Sequence, residues 1–140
     1  MFDAWLNHTR LGYNYRLDEL SAALGHAQVQ RLDELLTKRE RVAGWYNERL
    51  GDEELIETPY IAPTTTRMSW FVYVVRTADG VNRDEMIPYL QQHGVPSRPY
   101  FTPIHLQPFY QQMGWRLGDL PETEKAGETS LALPFSGVMT

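Results

Sequence analysis

The sequence predicts an α+β domain, with a long N-terminal helix and a small, mainly antiparallel sheet that carries helices on one side. Three observations predict it. Apolar residues at Leu20, Leu24, Ala27, Leu32, Leu35, Val42, Tyr46 and Leu50 recur close to every 3.6 residues, the period of a helix with one buried face. Met68-Ser69-Trp70-Phe71-Val72-Tyr73-Val74-Val75-Arg76 is rich in aromatic and β-branched residues, which fit a pleated surface. The segments then follow as helix, strand, strand, helix, strand and short helices, and this order groups the helices against one sheet.

Taken in order, residues 1–17 are aromatic and polar without a period, and Trp5, Leu6, Tyr13 and Tyr15 need a surface to pack on. An extended backbone there sends Tyr13 and Tyr15 to opposite sides. Asp18 is a helix cap, because its short side chain accepts from an N–H one turn on. The helix it opens is predicted over 18–50, with Glu34 and Lys38 as a favourable i,i+4 pair on the charged face. Gly25 inside it costs about 1 kcal/mol against alanine and marks a bend or a close contact. Leu55-Ile56-Glu57-Thr58 is a short strand stopped by Pro59, and 68–76 is the main strand. Asn82 with Glu85 three residues later opens the next helix, whose inner stripe is Met86, Ile87, Leu90 and His93, and Gly94 ends it. Val95–Phe101 holds two prolines and is an edge strand at best. A short helix over 104–113 ends at Gly114, and another starts at Pro121 and runs to about Leu131.

Length and composition narrow the function. A chain of 140 residues, 42% hydrophobic and 22% charged, suits one domain with a real core. The net charge of −5 and the scattered basic residues argue against a nucleic-acid surface. With no cysteine there is no disulfide framework, thiolate nucleophile or zinc-thiolate site, which is compatible with a cytoplasmic location. No stretch approaches the roughly 18 apolar residues that cross a bilayer, so no membrane role is expected. The N-terminus lacks the basic and apolar regions of a signal peptide. His8, His26, His93 and His105 share no ligand spacing, and no phosphate-cradling glycine motif or nucleophile elbow is present. The pairs Asp33-Glu34 and Glu53-Glu54 read as solvated surface.

Two stretches carry the chemistry. The first is Leu11-Gly12-Tyr13-Asn14-Tyr15-Arg16-Leu17-Asp18-Glu19-Leu20-Ser21-Ala22-Ala23-Leu24-Gly25, which joins an aromatic turn to the start of the long helix. The second runs from Gly94 to Tyr110 and gathers Arg98, Tyr100, Phe101 and His105 among four prolines. Its rigid backbone presents side chains at low entropic cost, and an arginine there can pair with a phosphate or carboxylate. A Pro-rich connector whose aromatics fill the core is the plain alternative.

The first stretch resembles the G-x-N-Y-R…E-x-x-A-A-x-G signature of the DegT/StrS-type aminotransferases, and the second resembles that family's G-[IV]-x-x-R-x-Y-[FY]-x-P-[IL]-H segment. Ser69-Trp70, Asn82-Arg83-Asp84 and Leu131-x-Leu133-Pro134 fit in register, so the resemblance covers essentially the whole chain. It implies the C-terminal small domain of a fold-type-I enzyme that uses pyridoxal phosphate (PLP) and aminates keto-sugars, mostly nucleotide-linked, with an amino-acid donor. It implies a homodimer sharing its active sites, in which Asn14 reaches the PLP phosphate of the partner subunit, flanked by Tyr15 and Arg16. His105, with Arg98 and Tyr100, would lie on the substrate side. For Arg16, an ion pair with an acid of the long helix stands open beside the cofactor contact.

The resemblance also implies a division into 1–17, an arm leading into the domain, and 18–140, the small domain, with the PLP-binding large domain absent. The chain starts a few residues before its main motif and stops in a loop-like tail, so a piece of a larger protein is expected. Its lysines are Lys38, on a charged helix face, and Lys125, in an acidic helix; neither is placed for Schiff-base chemistry. The chain alone is therefore expected to be inactive. The rival is a stand-alone interaction module that kept this domain and dimerises through the arm around Trp5, Tyr13 and Tyr15.

Overall fold

The structure is a computed structural model that describes Tyr13 and residues 15–140. They fall into two compact units that meet in the sequence between Asp33 and Glu34, and each is described by itself.

In the first unit, Asp18 caps α1 (Glu19–Gln30) as expected, its carboxylate accepting from the Ser21 N–H at 2.9 Å. That bond holds the Asp18 carboxyl below its ordinary value. No residue of α1 is buried, and Leu20 and Leu24 stand exposed. The helix expected over 18–50 is interrupted at Arg31, where φ is −105° and ψ 10°, and it resumes as α2 (Leu32–Leu50). The break is not at Gly25, which lies inside α1 with open space around it.

The second unit holds the sheet. Its strands are β1 (Ile56–Glu57), β2 (Tyr73–Thr77), β3 (Arg98–Pro99) and β4 (Ser130–Leu133), in the order β1-β2-β4-β3, with every pairing antiparallel. The register pairs Tyr73 with Leu133 and Val75 with Leu131. Side chains two apart share a face, so Tyr73, Val75, Thr77 and Leu131 turn to one side, where all four are buried. Ala43, Tyr46 and Leu50 of α2 pack on that core, with Met86, Ile87 and Leu90 of α3 (Arg83–Gln92). Tyr73 lies in an aromatic stack, its ring centroid 4.6 Å from Tyr46, 5.7 Å from Trp70 and 6.3 Å from Phe135.

Two differences from expectation are caused by contacts with distant parts of the chain. The main strand starts at Tyr73 rather than Met68 because Trp70 has φ 51°, in the left-handed region that a bulky residue rarely occupies. Arg39 of α2 fixes that turn, its Nη1 donating to the carbonyls of Trp70 (2.9 Å) and Phe71 (3.2 Å). The last helix, α5 (Pro121–Thr129), stops two residues early, and Ser130–Leu133 is a strand between β2 and β3. Pairing with both neighbours outweighs continuation of the helix.

The other elements lie where expected. Asn82 caps α3, its side chain accepting from the Asp84 N–H at 2.9 Å. Gly94 follows with φ 80°, the left-handed geometry of a helix terminator. His93 is exposed rather than on the inner stripe. A 3-10 turn (Ile104–Leu106) and α4 (Pro108–Gln112) occupy the predicted 104–113 helix, with Gly114 beyond them at φ 107°. No helix among the described residues is long and apolar enough to cross a membrane.

Candidate functional site

The candidate site is the 98–124 region, where the chain leaves the sheet edge and is fastened back onto α5. Arg98 sits on β3 with its side chain exposed. The Tyr100 N–H donates to the Ser130 carbonyl at 3.2 Å, which extends the edge pairing, and its ring stacks on Phe101 at 4.1 Å. Pro103 then starts the 3-10 turn that carries His105.

His105 is only 5% exposed, and its Nε2 lies 2.8 Å from Oε1 of Glu124, itself 8% exposed. Glu124 also accepts from the backbone N–H groups of Gly118 (2.9 Å to each oxygen) and Leu120 (3.2 Å). Leu120 is the cap residue of α5 and has no capping side chain, so the acid one turn into the helix reaches back to its N–H. The His105 hydrogen bond is the main reason the Glu124 carboxyl sits below its ordinary value. Burial opposes it, and the Gly118 and Leu120 N–H groups and the His105 charge add to it. Trp115 meets the His105 ring edge-on at 6.2 Å.

Close packing holds this segment to the helix. A Cβ on Gly127 of α5 would stand 2.7 Å from Pro103 Cδ and 3.1 Å from the Phe101 carbonyl oxygen. A proline ring and a backbone oxygen cannot swing aside, so Gly127→Ala is expected to cost about 2 kcal/mol, read as a lower urea midpoint at unchanged slope. A loss below about 0.5 kcal/mol would show that the contact is loose. Arg83 secures the far end of α5, donating from Nη1 to the carbonyls of Gly127 (2.9 Å) and Ser130 (3.1 Å).

The remaining sequence-predicted residues lie elsewhere. Asn14, on which the cofactor assignment centres, lies outside the described residues. Tyr15 is 88% exposed, and its ring is 5.7 Å from that of Tyr13. The two therefore share a side rather than opposing one another, because residues two apart on an extended chain return to the same face. Arg16 is exposed and forms no ion pair among the described residues. Arg98, Tyr100 and His105 belong to one segment, but His105 alone is buried in a polar pair. Sequence reading missed Glu124. The available signal was an acid four residues after an apolar cap residue that cannot satisfy its own helix end.

Both lysines are engaged at the surface, Lys38 with Glu34 and Lys125 with Asp79 at 3.2 Å. A Schiff-base lysine is desolvated or crowded by positive charge so that it holds a free amine. Exposed lysines bound to carboxylates do not fit that part.

The model of the DegT/DnrJ/EryC1/StrS aminotransferase family matches residues 2–140. The chain belongs to that family. Among curated relatives, GDP-perosamine synthase of Caulobacter vibrioides is 38% identical over 135 residues, covering 93% of this chain and 35% of that protein. The spore coat polysaccharide biosynthesis protein SpsC of Bacillus subtilis is 33% identical, covering 89% and 33%. Among solved structures, S. venezuelae DesV in complex with a ketimine intermediate superposes with a TM-score of 0.84 at 30% identity, covering 96% of this chain and 35% of that one. The chain thus spans about a third of the length of these family members. The α+β class with a small antiparallel sheet is that of the corresponding part of fold-type-I aminotransferases.

Proposed function

We propose that this chain is the C-terminal part of a PLP-dependent aminotransferase acting on keto-sugars, nucleotide-linked ones in particular, and that it is not catalytically competent alone. The observation that supports this best is the coverage. Nearly the whole chain aligns with about a third of a relative named for a GDP-linked sugar, and the same share of DesV superposes on it. The lysines support the second half, since neither fits as the amine that holds the cofactor.

In the intact homodimer, Asn14 donates to the PLP phosphate bound in the partner subunit, an amide adding a hydrogen bond there without a second full charge. Tyr15 and Arg16 flank that contact. Arg98, Tyr100 and His105 form the substrate side, and a donor amino acid such as glutamate supplies the amine. The working place of such an enzyme is the cytoplasm, where nucleotide sugars are built.

Two experiments test the reading. The chain incubated with PLP is expected to show no Schiff-base absorbance and no borohydride-fixed adduct; an adduct on Lys38 or Lys125 would overturn the claim of incompetence. A chimera carries this chain in place of the matching third of the Caulobacter relative. It is expected to aminate a nucleotide-linked keto-sugar, and Asn14→Ala to remove that activity. A chimera that folds and holds PLP yet aminates no such sugar sinks the assignment.

A further inference from the structure

The segment between the sheet edge and α5 is chemically unlike the charged outer faces of α2, α3 and α5. Phe101, Ile104, Phe109, Met113 and Leu117 are each 65–72% exposed, and Trp115 and Tyr110 are exposed to a lesser degree beside them. Phe109 and Met113 are four residues apart, so they share one side of α4, which follows directly on the turn that carries Ile104. From Pro99 to Pro121 the charged side chains, apart from the buried His105, are Arg116 and Asp119, which are of opposite sign, and there is no lysine or glutamate. Aromatic residues and methionine with few lysines and glutamates are the composition of an interface core. The face is also rigidly mounted. His105 is bonded to Glu124 at 2.8 Å, and Pro103 sits where a side chain on Gly127 would stand. Little further ordering is then needed on association. By contrast α1, a 12-residue helix, buries none of its residues, and a helix of that length is marginal without a packed face.

We infer that this 101–117 face is the surface on which a second copy of the chain docks, the same patch on each copy meeting about a two-fold axis. Charge and area select that occupant. The chain carries a net charge of −5, so a contact between its charged faces brings like charges together. This face brings almost none, because Arg116 and Asp119 balance. A strongly charged partner finds no complement here, whereas the patch complements itself, as a two-fold contact requires. Five side chains of this size at about two-thirds exposure offer about 600 Å². With Trp115, Tyr110 and the intervening backbone, the face approaches the roughly 800 Å² that each partner gives to a stable pair. The inference stands without the aminotransferase reading, since it uses surface chemistry alone. It puts the segment bearing His105 at the junction of two subunits, in place of the arm around Tyr13 and Tyr15.

The test is sedimentation velocity of the 140-residue chain over a dilution series, without PLP or sugar. A reversible dimer is expected. Phe109→Glu combined with Met113→Glu sets two carboxylates from each copy into the contact and should raise the dissociation constant at least about a hundredfold. Both side chains are exposed in the single chain, so far-UV circular dichroism of the dilute protein should not change. Leu20→Glu combined with Leu24→Glu on α1 should leave the dimer in place. The chain has no cysteine, so Met113→Cys gives it one thiol, which a bis-maleimide should join to its own copy; Leu24→Cys should stay unlinked. The cysteine variants decide if the glutamate variant fails to fold. A wild-type chain that stays monomeric at every concentration overturns the proposal and assigns the face to another part of a longer protein or to a different partner. A dimer that survives Phe109→Glu with Met113→Glu, a dimer lost on changing α1, or Met113→Cys that links no better than Leu24→Cys overturns it equally. No amination is measured, so failure here is distinct from failure of the aminotransferase reading, which the chimera reports.

Discussion

Tyr73→Ala is expected to lower the unfolding free energy by about 4 kcal/mol, the range for truncating a large ring in a packed core. Tyr73 is fully buried at the start of β2, between the rings of Tyr46, Trp70 and Phe135. These rings come from α2, the left-handed turn, the strand itself and the tail after β4, so the cavity opens where the sheet meets its covering helix. A domain of this size has about 5–15 kcal/mol in total, and the variant is left near the edge of folding. Tyr73→Phe separates the ring from its hydroxyl, which donates to Asn47 Oδ1 at 2.5 Å. It is expected to cost about 1 kcal/mol. Urea unfolding of both variants checks this, and a Tyr73→Ala loss under about 2 kcal/mol would show that the core closes over the gap.

The same residue gives the stability a defined alkaline limit. Burial first, and the neighbouring Tyr46 second, push the Tyr73 hydroxyl from its ordinary value of 10.0 up to about 12. Tyr46 is also raised by burial. Between those values the unfolded chain has lost the proton and the folded chain keeps it, so the folded state binds more protons. Stability is then whole below pH 10 and is lost as the pH rises towards 12. Tyr73→Phe should show a shallower fall over that window, with the remainder due to Tyr46.

Much of this fold was legible, and the exceptions share a cause. The caps at Asp18 and Asn82, the terminator Gly94, the short strand at Ile56 and the edge position of Arg98-Pro99 follow from local chemistry, which a sequence states directly. The aromatic side chain of Trp70 favours a strand. Its left-handed backbone is set by Arg39, 31 residues away, and no local pattern carries that. The site divides the same way. His105 stood out by residue type, but the group that holds it lies 19 residues on, and nothing near His105 in the sequence points to Glu124. The exposed face of α1 is the reverse case, since its apolar spacing is plain while none of its residues is buried.

Leu131→Ala tests the element that was hardest to see. A helix continuing from Pro121 to Leu131 would tolerate alanine well, since alanine is the strongest helix former. In the structure Leu131 is instead the centre of β4, opposite Val75 on one side and Pro99 on the other, with no exposed surface. Removing its branched end leaves a void between β2, α3 and the edge strand, and the expected cost is about 3 kcal/mol. Leu131→Met keeps the volume and should cost less than about 1.5 kcal/mol. The loss carries through to the site, because the neighbouring Ser130 carbonyl receives both the Tyr100 N–H and Arg83. Loosening β4 should therefore raise amide exchange at Tyr100 before the chain unfolds globally. A cost below about 1 kcal/mol for Leu131→Ala, or Tyr100 exchange unchanged from the parent chain, would mean that β4 does not anchor the segment bearing His105.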